Sequence, residues 1–398
     1  MLALLAPGQG AQAPGMLEPW LDVPAGTSTV RERLRWWSAV VGIDLLAAGT
    51  TADAETIRDT AVAQPLLVAS ALVTAAALLD DKAAFEAAGV IAGHSVGELA
   101  AAALCGALSE EAALTFVRER GRAMAVASAT QETGMTALLG GTFDDVVAHL
   151  DKLGLEAANV NGVGQLVAAG TRAQLDALAE TPPDGVRLRP LSVAGAFHTR
   201  HMAPAVTTLA ALSPAVPVED PATRMLSNFD GAIVTSGADL LARLVAQVSA
   251  PVRWDLCMAT MRELDVTAVI ELAPAGTLAG VVRRDMKGIE VVALRSPDDL
   301  DNARALVSAH GFNAAVTHDL DPAWRLVVAP VGGTFHAQPA TPGTVLAPGA
   351  SLGQVASRRD ATPVSTPYGG ILVEWLAEDG DPVAPGQPLA RLHPEAVA

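Results

Sequence analysis

The sequence predicts an α/β protein with a separate all-β region towards its C-terminal end. Three observations carry that expectation. About half of the 398 residues are hydrophobic and alanine is abundant, yet only 4% are aromatic, which suits helices packed closely on a sheet better than a β-sandwich. Short strand-like runs alternate with helix-like ones up to about residue 124 and again from about 194 to 311, the pattern of a parallel layer. Beyond residue 319 the chain turns to proline, glycine and short β-type runs. This length accommodates two or three domains and a large core.

Residues 1–6 read as a strand with no basic stretch ahead of it, so no secretory signal is expected. The apolar run 65–79 stops at Asp80 and Asp81 and is too short to cross a bilayer, so it reads as a buried helix. Residues 88–92 read as a strand and, after a tight turn, residues 98–108 as a helix. From about 125 to 193 the texture changes: strand-like pieces at 135–139 and 164–169 alternate with helix-like ones at 144–153 and 173–179. Four such elements suit a small βαββαβ insert of the ferredoxin-like type. Alternation of larger elements then resumes, with strands at 266–272 and 291–294. Ser296 as N-cap and Pro297 at the first helical position start a helix that Gly311 ends. The expected organisation is a large α/β subdomain from 1–124 and 194–311, an insert at 125–193, a linker at 312–324 and a β domain at 325–398.

That last region repeats itself. Val327, Pro330, Gly332 and Gly333 recur as Val364, Pro367, Gly369 and Gly370. Ala347-Pro348-Gly349 and Leu352 recur as Ala384-Pro385-Gly386 and Leu389, every pair 37 residues apart. Eight matches in one register imply two similar halves of one pseudo-symmetric domain.

The net charge of −17 opposes nucleic acid and anionic membranes as partners, since both need basic patches. Cys105 and Cys257, the only cysteines, sit in apolar helix-like context and read as reduced core residues of a cytoplasmic protein. There is no CxxC or HExxH, and His198 and His201 have no carboxylate cluster nearby. Neither a metal nor a cofactor is expected, and nothing in the sequence requires more than a monomer.

The chemistry concentrates in Gly93-His94-Ser95-Val96-Gly97. Such a match arises by chance in a glycine-rich chain; the strand before it and the helix after it make it a nucleophile elbow. Glycine flanks are needed because a Cβ in so sharp a turn would meet the neighbouring strand or helix. The turn lifts the Ser95 hydroxyl to a helix N-terminus, where free N–H groups favour an oxyanion. A serine also needs a base. Of eight histidines, His94 is adjacent, with its side chain expected to project away from that of Ser95. His149, His310, His318, His336 and His393 lie in helix-end, linker or repeat context. His198 follows Phe197 where the insert returns to the large subdomain, and it is the candidate base.

Several motifs occur in one order: Pro7-Gly8-Gln9-Gly10-Ala11-Gln12, Gln64-Pro65, Gly93 to Glu98, Arg120-Gly121 with Met124, Asn159 and Asn161 with Gln165, Phe197-His198, then Gln247 with Pro251-Val252-Arg253-Trp254. On these motifs the chain from residue 1 to about 311 resembles malonyl-CoA:acyl carrier protein transacylases. The resemblance implies an α/β-hydrolase-like large subdomain and a ping-pong transfer of malonyl from malonyl-CoA to holo acyl carrier protein. It implies Ser95 as the acylated nucleophile, His198 as its base and the Gln247 main-chain carbonyl as the group orienting the imidazole. The N–H groups of Gln9 and Val96 would form the oxyanion hole, an arrangement that converges on a tetrahedral oxyanion. Arg120 would hold the malonyl carboxylate with paired charge-assisted hydrogen bonds; without the resemblance it reads as a surface residue in the run Arg118-Glu119-Arg120. Phe197 would crowd the acyl α-carbon, and Gln64, Met124 and Asn161 would line the substrate site. The alternative is a serine hydrolase or thioesterase on the same elbow. Two departures stand out: Ala196-Phe197-His198-Thr199 where members often carry Pro-Phe-His-Ser, and Ala273-Pro274-Ala275 where they carry Gly-Pro-Gly.

The repeat region resembles biotinyl/lipoyl-type barrels, which carry their group on a hairpin lysine. Here Arg359 stands at that position, and arginine stays protonated and forms no such amide. The domain is expected to be unmodified, serving either as a partner surface or as packing.

Overall fold

The computed structural model describes residues 1–80, 83–162, 164–311, 325–357, 360–366 and 369–393. The chain divides into two compact units, Met1–Phe312 and Asn313–Ala398.

The first unit is built on a six-stranded sheet in the order Ile233–Val234, Arg224–Leu226, Val90–Gly93, Leu2–Ala6, Ala268–Glu271, Glu290–Ala293. All neighbours run parallel except Ile233–Val234, which pairs antiparallel at one edge. Leu2–Ala6 is buried along its whole length, as a central parallel strand covered on both faces must be. Its alternating side chains feed two cores: Leu2, Leu4 and Ala6 enter one, Ala3 and Leu5 the other.

Between the first two sheet strands the chain is more helical than simple alternation predicts. The short Pro24–Ala25 and Ser28–Thr29 pair precedes the helices Val30–Val41, Leu45–Thr50 and Thr60–Leu79. The last begins before the expected run because Asp59 caps it, its carboxylate accepting from the Ala61 N–H at 2.8 Å. At 20 residues it is, by length and composition, long enough to cross a membrane, which corrects the sequence reading; nearly all of it is buried within the fold. The elbow helix, Gly97–Leu104, ends short of the expected residue 108. Gly106 turns left-handed there (φ 81°), and the N–H groups of Ala107 and Leu108 both fold back onto the Ala102 carbonyl.

Glu110–Ser128, capped by Ser109, crosses the expected boundary at 124 without a break. The elements that follow are Thr133–Leu139, the helix Phe143–Lys152, Glu156–Gly162, Gln165–Thr171, the helix Arg172–Glu180 and Arg187–Pro190, an order of βαββαβ. Their sheet is ordered Val252–Arg253, Glu156–Gly162, Gln165–Thr171, Thr133–Leu139, Arg187–Pro190. Val252–Arg253 adds to it in parallel from the main body, whereas the other neighbours are antiparallel.

In the second unit two four-stranded sheets enclose Phe335, Val355, Leu372 and Leu389. One is ordered Arg325–Val328, Pro388–His393, Gly370–Trp375, Val345–Leu346; the other Ala361–Ser365, Ser351–Ala356, Gly333–Ala337, Pro382–Val383. Each sheet takes two strands from each half of the repeat, so neither half can close its core alone. Arg359, Pro367 and the linker 312–324 lie outside the described residues.

Candidate active site

The Val90–Gly93 strand delivers the chain to a turn that tolerates no side chain on either flank. A Cβ on Gly93 would lie 2.0 Å from the Gly97 carbonyl carbon, and one on Gly97 would lie 2.3 Å from the Ala6 carbonyl oxygen. Ser95 between them adopts φ 54°, a left-handed conformation that a side chain seldom takes. Its N–H donates to Asn228 Oδ1 at 2.7 Å, which fixes the turn from beneath.

His198 is also left-handed (φ 60°). Its Nδ1 lies 2.8 Å from the Gln247 main-chain oxygen and its Nε2 2.7 Å from Ser95 Oγ. A carbonyl only accepts, so Nδ1 carries the proton and Nε2 turns a lone pair to the serine hydroxyl. Burial, reinforced by the Arg120 charge, pushes the imidazole down to about 3. The ring is therefore neutral and basic at Nε2.

Arg120 is only 2% exposed. It donates from Nη1 to Gln64 Oε1 at 2.7 Å, and from Nη2 to Gln247 Oε1 at 2.9 Å and Ser95 Oγ at 3.4 Å. Among the described residues no carboxylate forms an ion pair with it. Burial lowers its pKa to about 10, with Glu98 opposing, so the guanidinium remains charged. A buried cation held by neutral amide oxygens is a receptor for an anion.

The hydroxyl and imidazole open into a cavity of about 220 Å³ lined by Gln9, Gln64, Ser95, Met124, Asn161, Phe197 and His198, among others. Gln64 Nε2 also contacts Met124 Sδ at 3.3 Å. Among the described residues, the main-chain N–H groups of Gln9 and Val96 meet no protein acceptor, as donors kept for an oxyanion require. Every site residue expected from the sequence thus falls on or directly behind this one cavity. A larger hollow of about 530 Å³, beside Phe143, Val160 and Leu256, shares only Gln165 with it and has no serine, cysteine or histidine among its described lining residues. Among the described residues no group of three His, Cys, Asp or Glu side chains is placed to hold a metal.

Three residues extend the expected set. His94 lines the same cavity, its Nε2 2.9 Å from Asn161 Oδ1, and burial lowers its pKa. Asn228, besides holding Ser95, donates from Nδ2 to the Gly93 carbonyl at 2.8 Å. Glu98 is 2% exposed and takes the Asn228 N–H on Oε1 at 2.6 Å and the Gln247 Nε2 on Oε2. Its carboxyl is pushed up to about 8 by burial, against the pull of the Asn228 N–H and of Arg120. The signal for Asn228 is positional: it stands just past the carboxyl end of Arg224–Leu226, beside the nucleophile strand, where open α/β sheets place their sites.

The chain matches the acyl transferase domain family over residues 4–315. It is 48% identical over 301 residues to the malonyl CoA-acyl carrier protein transacylase of Mycobacterium tuberculosis, covering 76% of this chain and 98% of that one. A crystal structure of MCAT from Mycobacterium tuberculosis superposes with a TM-score of 0.71 at 46% identity, over 76% of this chain and 99% of that chain. A type II PKS acyl-carrier protein in complex with its malonyl-transacylase matches at 26% identity and TM-score 0.71, over 76% of this chain and 99% of the other.

Proposed function

The chain belongs to the malonyl-CoA:acyl carrier protein transacylase family, and we propose that it moves malonyl from malonyl-CoA to the phosphopantetheine thiol of holo acyl carrier protein through an acyl-enzyme on Ser95. In the first half-reaction Ser95 Oγ gives its proton to His198 Nε2 and attacks the thioester carbonyl. The Gln9 and Val96 N–H groups take the oxyanion, in a role worth about 10²–10³-fold per donor in serine hydrolases. The tetrahedral intermediate then expels the CoA thiolate, which leaves with the proton from His198. In the second half-reaction the carrier thiol yields its proton to the same nitrogen and attacks the Ser95 ester. The second tetrahedral intermediate expels Ser95 Oγ, which takes that proton back from His198, and malonyl remains on the carrier sulfur. The Gln247 carbonyl keeps the imidazole in the required tautomer throughout. Gln64, Met124, Asn161 and Phe197 wall the acyl site.

The observation that carries this reading is Arg120, a buried cation that forms no ion pair with a carboxylate among the described residues, 3.4 Å from the nucleophile. A simple esterase has no use for it, whereas the free carboxylate of a malonyl thioester supplies what it lacks. Malonyl-CoA followed by either water or holo acyl carrier protein tests the assignment. The expected result is a malonyl adduct on Ser95, visible by intact mass, that is stable in water, discharges to the carrier and is absent from Ser95→Ala. Rapid discharge to water would instead make the protein a thioesterase.

The same reading extends to architecture. The main sheet supports an α/β-hydrolase-like subdomain (1–124 and 194–311), the βαββαβ order a ferredoxin-like insert (125–193), and the paired four-stranded sheets a biotinyl/lipoyl-like barrel within 325–398. A monomeric, cytoplasmic enzyme acting on soluble thioesters accords with its acidic composition.

A further inference from the structure

The functional reading accounts for the Gln247 main chain but not its side chain. That amide lies between a cation and a carboxyl: its Oε1 accepts from Arg120 Nη2 at 2.9 Å, and its Nε2 donates to Glu98 Oε2. Nε2 also lies 3.3 Å from both Asn228 Oδ1 and the Ser95 main-chain oxygen. Arginine only donates, so the atom facing it must be the amide oxygen, and the amide nitrogen must then face Glu98. The other Glu98 oxygen takes the Asn228 N–H, and Asn228 in turn holds the Ser95 N–H. Glu98 itself is buried one turn beyond Ser95 on the elbow helix, without reaching the cavity.

We propose that Glu98 is a positioning residue for acyl selectivity: by taking N–H donors on both oxygens it locks the Gln247 amide with its oxygen towards Arg120, and so aims the guanidinium at the malonyl carboxylate. The proposal rests on the malonyl-transfer reading and deepens it. In Glu98→Gln one oxygen becomes an NH₂ group. Whichever way that amide turns, an N–H then faces an N–H. If it keeps the Asn228 contact, the Gln247 amide must flip, and its NH₂ then opposes Arg120. The cation loses its aim, while Ser95 and His198 keep their mutual hydrogen bond.

The readout is the ratio of first-turnover acylation, kcat/KM with malonyl-CoA over kcat/KM with acetyl-CoA, in the full chain. Arg120→Ala sets the floor of this ratio. Glu98→Gln is expected to lower it by ~10- to 100-fold, the range for one hydrogen bond to a buried charged group. Gln247→Met, which removes the amide and keeps the main-chain carbonyl, is expected to lower it likewise. Adding Glu98→Gln to Gln247→Met should lower it no further, because the two act through one link. Glu98→Asp, which draws both acceptors back by one methylene, serves where Glu98→Gln does not fold, with a smaller loss in the same direction. Malonyl and acetyl rates falling in equal proportion in Glu98→Gln would overturn the coupling, as would a full further loss on the Gln247→Met background. A wild-type chain that takes no malonyl at all would overturn the functional reading and this one with it.

Discussion

Arg120 and His198 are both buried beside Ser95, and the guanidinium limits the charge the imidazole can carry. The imidazole is lowered from 6.5 to about 3, first by burial and then by the guanidinium. A malonyl carboxylate paired with Arg120 would remove the second cause and leave the first. The proton that Nε2 receives in the transition state is therefore better tolerated when the acyl group carries its own anion, which links substrate choice to base strength. The sign follows directly. The base form is the neutral one, a lowered pKa keeps it populated in acid, and activity is lost only as pH falls through the lowered value. The acid limb of kcat/KM for first-turnover malonylation should lie well below 6.5, with a plateau extending through mildly acidic pH. Rapid-quench acylation across that range checks this, and a limb centred near 6.5 would mean that His198 is solvated in the working enzyme.

At the scale of elements, the elbow is the part most tightly dictated by local sequence. Gly93 and Gly97 face each other across the turn, and a Cβ on Gly93 would sit 2.0 Å from the Gly97 carbonyl carbon, backbone that cannot swing aside as a flexible side chain could. Gly93→Ala should destabilise the first unit by about 3 kcal/mol or more, at or above the usual range for overpacking. Urea unfolding followed by circular dichroism would show it, and an unchanged midpoint would refute the tight-turn argument. This locality is why the strand, turn, serine and helix were readable from sequence, as were Arg120 and His198 through their motifs. Other elements were not readable because their causes are remote. Glu156–Gly162 carries Ala-Ala-Asn rather than a β-branched run, and Arg187–Pro190 is a largely exposed strand rich in arginine, so both owe their pairing to neighbours rather than to propensity. Val252–Arg253 joins the insert's sheet from the main body, which no local pattern announces. Asn228 and Gln247 reach Ser95 across 133 and 152 residues of sequence, and the side-chain role of Gln247 depends on Glu98, whose place at a helix start looks like ordinary capping chemistry.

At the scale of the whole molecule, the chemistry and its support lie within one unit. Both cores that flank the main sheet, the elbow, the imidazole and Arg120 all fall within Met1–Phe312. The Mycobacterium tuberculosis relative is matched over 98% of its length by 76% of this chain, so the first unit corresponds to an entire relative and the second is an addition. That addition has its own core, closed only when the two halves of the repeat interleave. It contains no lysine, since Lys82, Lys152 and Lys287 are the only ones in the chain, so it offers no amine for an amide-linked prosthetic group. Cutting the chain after Phe312 should therefore leave a soluble protein that unfolds cooperatively and still takes malonyl from CoA onto Ser95 at close to the full-length rate. The intact mass of the full chain should equal that of the bare polypeptide. The step that truncation would slow, if the second unit serves catalysis, is discharge to the carrier protein, because that half-reaction needs a protein partner and not only the cavity. Comparing acylation by malonyl-CoA with discharge to holo acyl carrier protein in the full-length and truncated proteins separates these possibilities. Loss of self-acylation on truncation, or added mass from biotin or lipoate on the full chain, would refute the independence of the first unit or the bare state of the second.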